Sequence, residues 1–451
     1  MTERQGNSAE DARLMQAACE GCAESRLLLS RRAVLGVTAG LFSWACMPRF
    51  AHGAGSTDPR LLIVVLRGGM DGLNVCVPFG DTNYAPMRGS IAIPAASTIK
   101  LNSFFGLHPT LINFGNLYKA GDAAVVHAAS IPLRSRSHFD AQDNLENGMG
   151  NVIAPTATGW LNRLLMALPA GDPVRMAGGI QIGEAPLIMR GPAPVLGWSA
   201  TKYLSVLDPT LSQVRAVQAR DAEMYDALQR GLAANQLAAP LEQDDGEIST
   251  LRKSFRGAGR LFAADGGPRI AVISANQFDT HANQGGTRGV LADLLSDLDK
   301  GIGDFKLNVG SAWSRTAIVL ATEFGRNVRI NGGKGTDHGV GTVALLAGGA
   351  VQGGKVICDW PGLAPSQLFE GDDLKPTIDL RAVFKGVLRD HLGVSATTLG
   401  TSVFPGSTGV SPLANLIKTS APDAASSAPS IVSVRPSSAI GNYRRTSSTA
   451  N

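Results

Sequence analysis

The sequence predicts an α/β fold, a mostly parallel sheet with helices on both faces. Two observations carry this. The apolar runs "LLIVVL" (61–66), "AAVVHAA" (123–129), "PRIAVISA" (268–275), "TAIVLATEFGR" (316–326) and "GTVALLAGGAV" (341–351) are continuous rather than alternating, as in parallel strands covered on both sides. Between them lie stretches of helical spacing. "LINFGNLYKA" (111–120) leads through a Gly121-Asp122 turn into the second strand, and "TIDLRAVFKGVLRDHLGV" (377–394) places Leu380, Val383, Phe384, Val387 and Leu388 on one stripe. Strands alternating with helices make a doubly wound sheet.

A chain of 451 residues, 44% hydrophobic and 17% charged, can bury a large core. That length fits two or three domain-sized units or one large α/β domain. From 150 to 265 the strand pattern loosens. Gly, Ala and Pro dominate at first, then "SQVRAVQARDAEMYDALQRGLAANQLA" (212–238) and "EISTLRKSFRGAGRLFAA" (247–264) read as exposed amphipathic helices. This stretch is expected to be a helical insertion in a domain spanning 56–415. Residues 416–451 end in a Ser, Ala and Pro-rich tail expected to be disordered.

The formal charge of +4 is small for the length, and the basic residues form no run interleaved with aromatics. That argues against a nucleic-acid partner. Residues 1–55 read as an export signal. Ser30-Arg31-Arg32 precedes an apolar run from Ala33 to Met47 and small residues at Ala51 and Gly53. The run is too short for a permanent membrane span. The Arg pair is similar to a twin-arginine signal, which implies the twin-arginine export machinery as a partner and a periplasmic or secreted destination. Cys19, Cys22 and Cys46 would leave with the signal, so Cys76 and Cys358 remain, with pairing open and no cysteine-ligated cofactor expected.

In sheets of this kind, sites form in loops at strand ends. The chemistry-bearing residues fall there. Asp71 follows the first strand, "RSRSHFDAQD" (134–143) the second, and Asp279 and His281 the third. Glu323 follows the fourth, and Asp337 and His338 stand in the glycine-rich loop before the fifth. Three of the seven histidines lie in these loops, and carboxylates and imidazoles delivered from separate loops are what a divalent metal site uses. Asp71, Asp279, His281, Glu323, Asp337 and His338 are therefore the candidate ligands. Asp279 and His281, two apart, share one side of an extended segment. Ser137 and His138, at the start of a helix, are candidate catalytic groups, with Ser137 placed to attack an anionic ester. Arg134 and Arg136 are candidate binders of phosphate or sulfate.

Plainer roles compete with these. Asp71 and Ser137 suit helix caps. Glu323 suits an ion pair with Arg326, and His108, His127 and His391 suit packing. "GGKGT" lacks the frame of a phosphate-binding loop, and "HFDAQD" lacks the glycines of a nucleophile elbow.

The stretches "LRGGMDGLNVCVPFGDTNYAPMRG", "LHPTL", "RSHFDAQDNLENG", "GWLNRLL", "FDTHANQ" and "TEFGRNVRINGGKGTDHG" resemble the family called domain of unknown function 1501, over roughly 60–410. That family is similar in fold to the alkaline phosphatase and sulfatase superfamily. The resemblance implies a three-layer alkaline phosphatase-like fold and a metal-dependent hydrolase of phosphate or sulfate esters. It matches Asp71 to a metal-binding Asp, Ser137 to the nucleophile, and Asp279 and His281 to an acid and His pair of one metal site. Glu323 stands in place of a metal-binding Asp, Phe324 in place of its His, and His338 matches a later His before an apolar strand. The expected cofactor is a divalent metal, zinc foremost, with calcium, magnesium or manganese as alternatives. The expected partner is a small or envelope-associated anionic ester. Loss of the His at Phe324 favours the other reading, a secreted binding or assembly protein on a degenerate hydrolase scaffold.

Overall fold

The computed structural model describes residues 58–152, 156–184, 186–200, 225, 229–232, 234 and 248–418. The expected export signal, the expected 212–238 helix apart from a few residues, and the chain beyond 418 lie outside them. Nine strands form the central sheet: β1 (Arg60–Leu66), β2 (Ala123–Ser130), β3 (Gly179–Ile182), β4 (Val195–Trp198), β5 (Ile270–Ala275), β6 (Thr316–Ala321), β7 (Thr342–Ala347), β8 (Lys355–Ile357) and β9 (Ile378–Asp379). Their order is β8-β2-β7-β6-β1-β5-β3-β4, with β9 also pairing with β2. Every pairing is parallel except those of β7, which runs against β2 and β6.

The continuous apolar runs are explained by two cores, one on each face. Successive side chains of a strand point to opposite sides. Leu62, Val64 and Leu66 of β1 therefore join one core, while Leu61, Ile63 and Val65 join the other. The first face is covered by α1 (Ile112–Lys119) and by two later helices, α4 (Thr250–Ala263) and α5 (Val290–Val309). The second is covered by α2 (His138–Asn147), α3 (Trp160–Ala167) and α6 (Leu380–Leu392), where the Trp160 ring stacks on Phe384 at 4.9 Å. This is the expected three-layer sandwich. Among the described residues no helix is long and apolar enough to cross a membrane.

Two boundaries differ from the sequence expectation. Within 150–265, β3 and β4 extend the main sheet, and α4 is not the exposed helix expected there. Its Phe255, Ala258, Leu261 and Phe262 are buried, and only the opposite face carries charge, where Arg252 Nε meets Asp304 Oδ2 at 2.8 Å. Amphipathic spacing alone cannot tell a helix on the sheet from a helix on a cap. The domain also runs past 415. Leu416 and Ile417 are buried, and Lys418 N–H donates to Ala350 O at 2.8 Å.

Gly259 sets the approach of α4 to α5. A Cβ there would lie 2.8 Å from Asn308 Cβ and 2.9 Å from the Phe305 carbonyl oxygen. The close atoms are largely backbone and cannot rotate away, so Gly259→Ala must push the helices apart. We expect a loss of about 1–3 kcal/mol, the usual cost of overpacking, read as a lower denaturant midpoint. An unchanged midpoint would show that α4 and α5 are not packed this closely.

Candidate metal centre

The sheet order brings the five loops together. β2, β7, β6, β1 and β5 are consecutive neighbours. Four of them end at one edge of the sheet. β7 is antiparallel and begins there, so the loop before it joins the loops after the others. This is how Asp337 and His338, which precede a strand, reach residues that follow strands. Beyond β6 the chain makes a short antiparallel ribbon, with Gly325 opposite Gly339 and Arg326 opposite His338. The predicted strand 316–326 thus ends at Ala321, and Glu323 lies in the turn between strand and ribbon.

Three imidazoles and one carboxylate converge at this edge. His338 Nε2 lies 3.1 Å from His138 Nε2, 2.9 Å from His281 Nε2 and 3.2 Å from Asp279 Oδ1. His138 Nε2 lies 3.4 Å from Asp279 Oδ2, and His281 Nε2 lies 3.0 Å from Asp279 Oδ1. Potential ligand atoms of His138, Asp279 and His338 all fall within 4.8 Å of one another. His281, more exposed, sits on the rim and touches two of the three.

The other ring nitrogens decide the protonation. His338 Nδ1 is 2.8 Å from the Arg136 carbonyl, which can only accept, so Nδ1 carries the proton. His138 Nδ1 faces Glu323 Oε1 at 2.8 Å, and His281 Nδ1 faces Asp337 Oδ1 at 3.1 Å. Both carboxyls are held below their usual range. Burial raises Glu323, but hydrogen bonds from His138 and Gln142 outweigh it. Hydrogen bonds from Asn331 and His281 lower Asp337. In its neutral form each ring would therefore point an Nε2 lone pair at the centre, beside the Asp279 carboxylate. Lone pairs facing lone pairs about 3 Å apart are unfavourable unless a proton or a cation lies among them. Outer acceptors holding Nδ1–H and leaving Nε2 free are the usual support of a metal-binding histidine. The donor set therefore fits a divalent ion, with Glu323, Asp337 and the Arg136 carbonyl as its outer supports.

The rings differ in basicity. The hydrogen bond from Glu323 holds His138 above the usual imidazole value, while burial pushes His338 below it. Burial raises Asp279, but Arg326 beside it brings its carboxyl below the usual range. A Phe324 ring stands 4.8 Å from both His138 and His338, filling the side where the resemblance expected another histidine.

Other expected residues take different places. Asp71 is fully buried in an ion pair with Arg88, accepts from Gln284 Nε2 at 2.5 Å and caps Leu73 N at 3.2 Å. Both its oxygens are engaged in this network, away from the histidine cluster. Glu323 and Asp337 stand outside the cluster, hydrogen-bonded to the Nδ1 atoms of His138 and His281. Arg136 is ion-paired with Asp373 at 2.5 Å and Glu370 at 2.9 Å, so its charge is neutralised within the protein. Arg134 donates to the Ile131 carbonyl at 2.5 Å and makes no contact with the cluster among its hydrogen bonds. Ser137 caps α2, accepting from Asp140 N–H over a long 3.5 Å. The segment 279–281 is no strand, yet Asp279 and His281 share a side while buried Thr280 turns inward to Gln284 at 2.9 Å.

Sequence reasoning missed Arg326, and the pairing expected with Glu323 does not form. Arg326 instead pairs with Asp279 and donates to the carbonyls of Gly68, Gly69 (2.6 Å), Phe278 (3.2 Å) and Thr336 (3.0 Å). The one available signal was an Arg at the end of the strand-end stretch "TEFGR" (322–326). Gly68, at φ 116°, allows the approach, because a Cβ there would lie 2.5 Å from Asp279 N. His108, His127 and His391 are packing residues as expected, each satisfied by a backbone carbonyl, with His127 pushed down to about 4 by burial. Cys76 and Cys358 are both free thiols.

Residues 118–400 match the family described as Protein of unknown function (DUF1501), and the chain belongs to it. The matched span includes every member of the cluster and excludes Asp71. No curated protein matches the chain. Among solved structures, a phosphonate monoester hydrolase from Silicibacter pomeroyi is 10% identical at a TM-score of 0.36, covering 79% of this chain and 78% of that one. A protein of the alkaline phosphatase superfamily from Vibrio parahaemolyticus is 10% identical at 0.34, covering 84% and 79%. A 2-O GAG sulfatase is 11% identical at 0.35, covering 78% and 75%. Overlaps at this level carry no weight for activity.

Asp71→Asn separates the two roles weighed for that residue. It leaves the Arg88 charge buried and poorly paired, which costs about 3–5 kcal/mol. We expect a lower unfolding midpoint with the metal content of the folded protein unchanged. Loss of metal at unchanged stability would restore Asp71 as a ligand.

Proposed function

We propose that this DUF1501 chain is an exported, metal-dependent hydrolase of phosphate or sulfate esters. The observation that carries the reading is the convergence of His138, His281 and His338 Nε2 lone pairs on the Asp279 carboxylate. An imidazole-rich set with one carboxylate suits zinc better than calcium or magnesium, which take oxygen ligands. When bound, such an ion supplies Lewis acidity to an ester oxygen and to water. In this reading His138, Asp279 and His338 hold the ion. His281 either completes the set or, from the rim, exchanges a proton with the reacting group. Asp337 holds its ring in either role.

The anion would meet one further positive group, the N-terminus of α2, ten residues long, which opens at Ser137 and His138 beside the centre. Arg326 is buried and spent on Asp279 and four carbonyls, so it would hold Asp279 in place rather than bind the anion. Ser137 Oγ has only its long cap bond as a constraint and remains the candidate nucleophile, with water as the alternative. Arg136 is a poor anion binder here because Asp373 and Glu370 already neutralise it, which leaves Arg134 as the candidate arginine. Export rests on the twin-arginine-like segment alone.

The test is turnover on a panel of phosphate and sulfate monoesters by zinc-loaded protein. His338→Ala should lower it by at least about 100-fold, the scale of losing one strong electrostatic group from a site. Ser137→Ala decides between hydroxyl and water. No turnover by fully loaded protein on any ester would overturn the hydrolase reading.

A further inference from the structure

His338 is held from two sides. Its ring donates to the Arg136 carbonyl at 2.8 Å, and its own carbonyl accepts from Asn327 Nδ2 at 2.9 Å. Both holders meet on one buried carboxylate, and Arg136 also pairs with the exposed Glu370 at 2.9 Å. Arg136 donates to Asp373 Oδ2 from Nε at 3.1 Å and from Nη2 at 2.5 Å. Asn327 Nδ2 gives its other proton to Asp373 Oδ1 at 3.0 Å. Asp373 is 0% exposed, and its backbone is locked by paired hydrogen bonds with Phe369 at 2.9 and 3.1 Å. The residue before it, Asp372, is exposed, and its side chain pairs with the exposed Arg329 at 2.8 Å.

We infer that Asp373 is a positioning residue for His338, a single buried anchor that sets both the ring and the backbone of this ligand. The inference rests on the metal reading above. Asp373 touches neither the cluster nor any reacting group, so its effect passes entirely through Arg136 and Asn327. A buried carboxylate with three donors holds a narrow geometry, because moving either arm leaves a charge or an amide unpaired. The strap 369–373 thereby fixes the loop before β7.

The experiment compares wild type, Asp373→Asn and the neighbour control Asp372→Asn. Zinc affinity is measured by competition with a chromophoric chelator, and the visible spectrum of the cobalt-substituted protein reports ligand geometry. We expect Asp373→Asn to weaken zinc binding by about 10–100-fold, as for outer supports of metal ligands, and to change the cobalt spectrum. Asp372→Asn should match wild type, as should the overall fold by circular dichroism. In the metal-free protein, histidine-labelled NMR should show the His338 Nδ1–H in wild type and lose it in Asp373→Asn. Should Asp373→Asn fail to fold, Asn327→Ala cuts one arm and leaves the ion pair, with a smaller loss of affinity expected. Zinc binding in wild type with the same affinity and spectrum in the variants would overturn the positioning role alone. No zinc binding by wild type would overturn the metal reading and this inference with it.

Discussion

A buried guanidinium needs partners for its donors, and Arg326 finds them in the loops around the centre. Its donors reach the Gly68 and Gly69 carbonyls after β1, the Phe278 carbonyl and Asp279 after β5, and the Thr336 carbonyl before β7. Leaving any one unmade would strand a buried donor or acceptor at a cost of about 1–3 kcal/mol. A parallel sheet brings such loops to one edge, but only to within several ångströms. Arg326 supplies the finer alignment, and its ribbon register opposite His338 delivers that ring to Asp279. The Arg88–Asp71 pair backs the same loops. Gln284 donates to Asp71 while its Oε1 accepts from Thr280 (2.9 Å) and Thr336 (2.6 Å), the residues flanking Asp279 and Asp337.

The polarity of the centre then follows from what each ring meets on its outer side. A carbonyl and two carboxylates take the Nδ1 protons, so three Nε2 atoms face inward as acceptors beside an anion. Packing alone would not select this arrangement, because it places like partial charges together. A protein that arranges outer supports so completely stores electrostatic repulsion at the centre, and a cation relieves it. The unequal environments matter as well. His138 is tied to a fully buried Glu323 while His338 is desolvated, so any proton held among the Nε2 atoms in place of a cation belongs to the coupled cluster rather than to one residue.

Much of this was legible in the chain. Buried strands announce themselves through unbroken apolar runs, and all five predicted strands lie in the sheet. His138, His281, His338 and Asp279 stood out because ionisable residues are rare at strand ends and gathered there. Other features carry no local signal. Asp71 reads as a ligand until Arg88, seventeen residues on, is seen beside it. Glu323 and Arg326 look like neighbours for an ion pair, yet the turn after Ala321 sends one to His138 and the other to Asp279. Asp373, in the strap before β9, is invisible without the long-range approach of Arg136 and Asn327. The α4 stripe gives its helix correctly but says nothing of which surface it covers. Pairwise partners far apart in sequence are set by topology, and one antiparallel strand, β7, decides most of them here.

The central claim is that a single divalent ion is held where His138, His281 and His338 face Asp279. Crystals of the zinc-equilibrated protein, with diffraction recorded on either side of the zinc absorption edge, test it most directly. The account predicts one strong anomalous peak within bonding distance, about 2.0–2.2 Å, of His138 and His338 Nε2 and an Asp279 oxygen. Full zinc equilibration with no peak at this cluster, or with zinc bound only elsewhere, would contradict it.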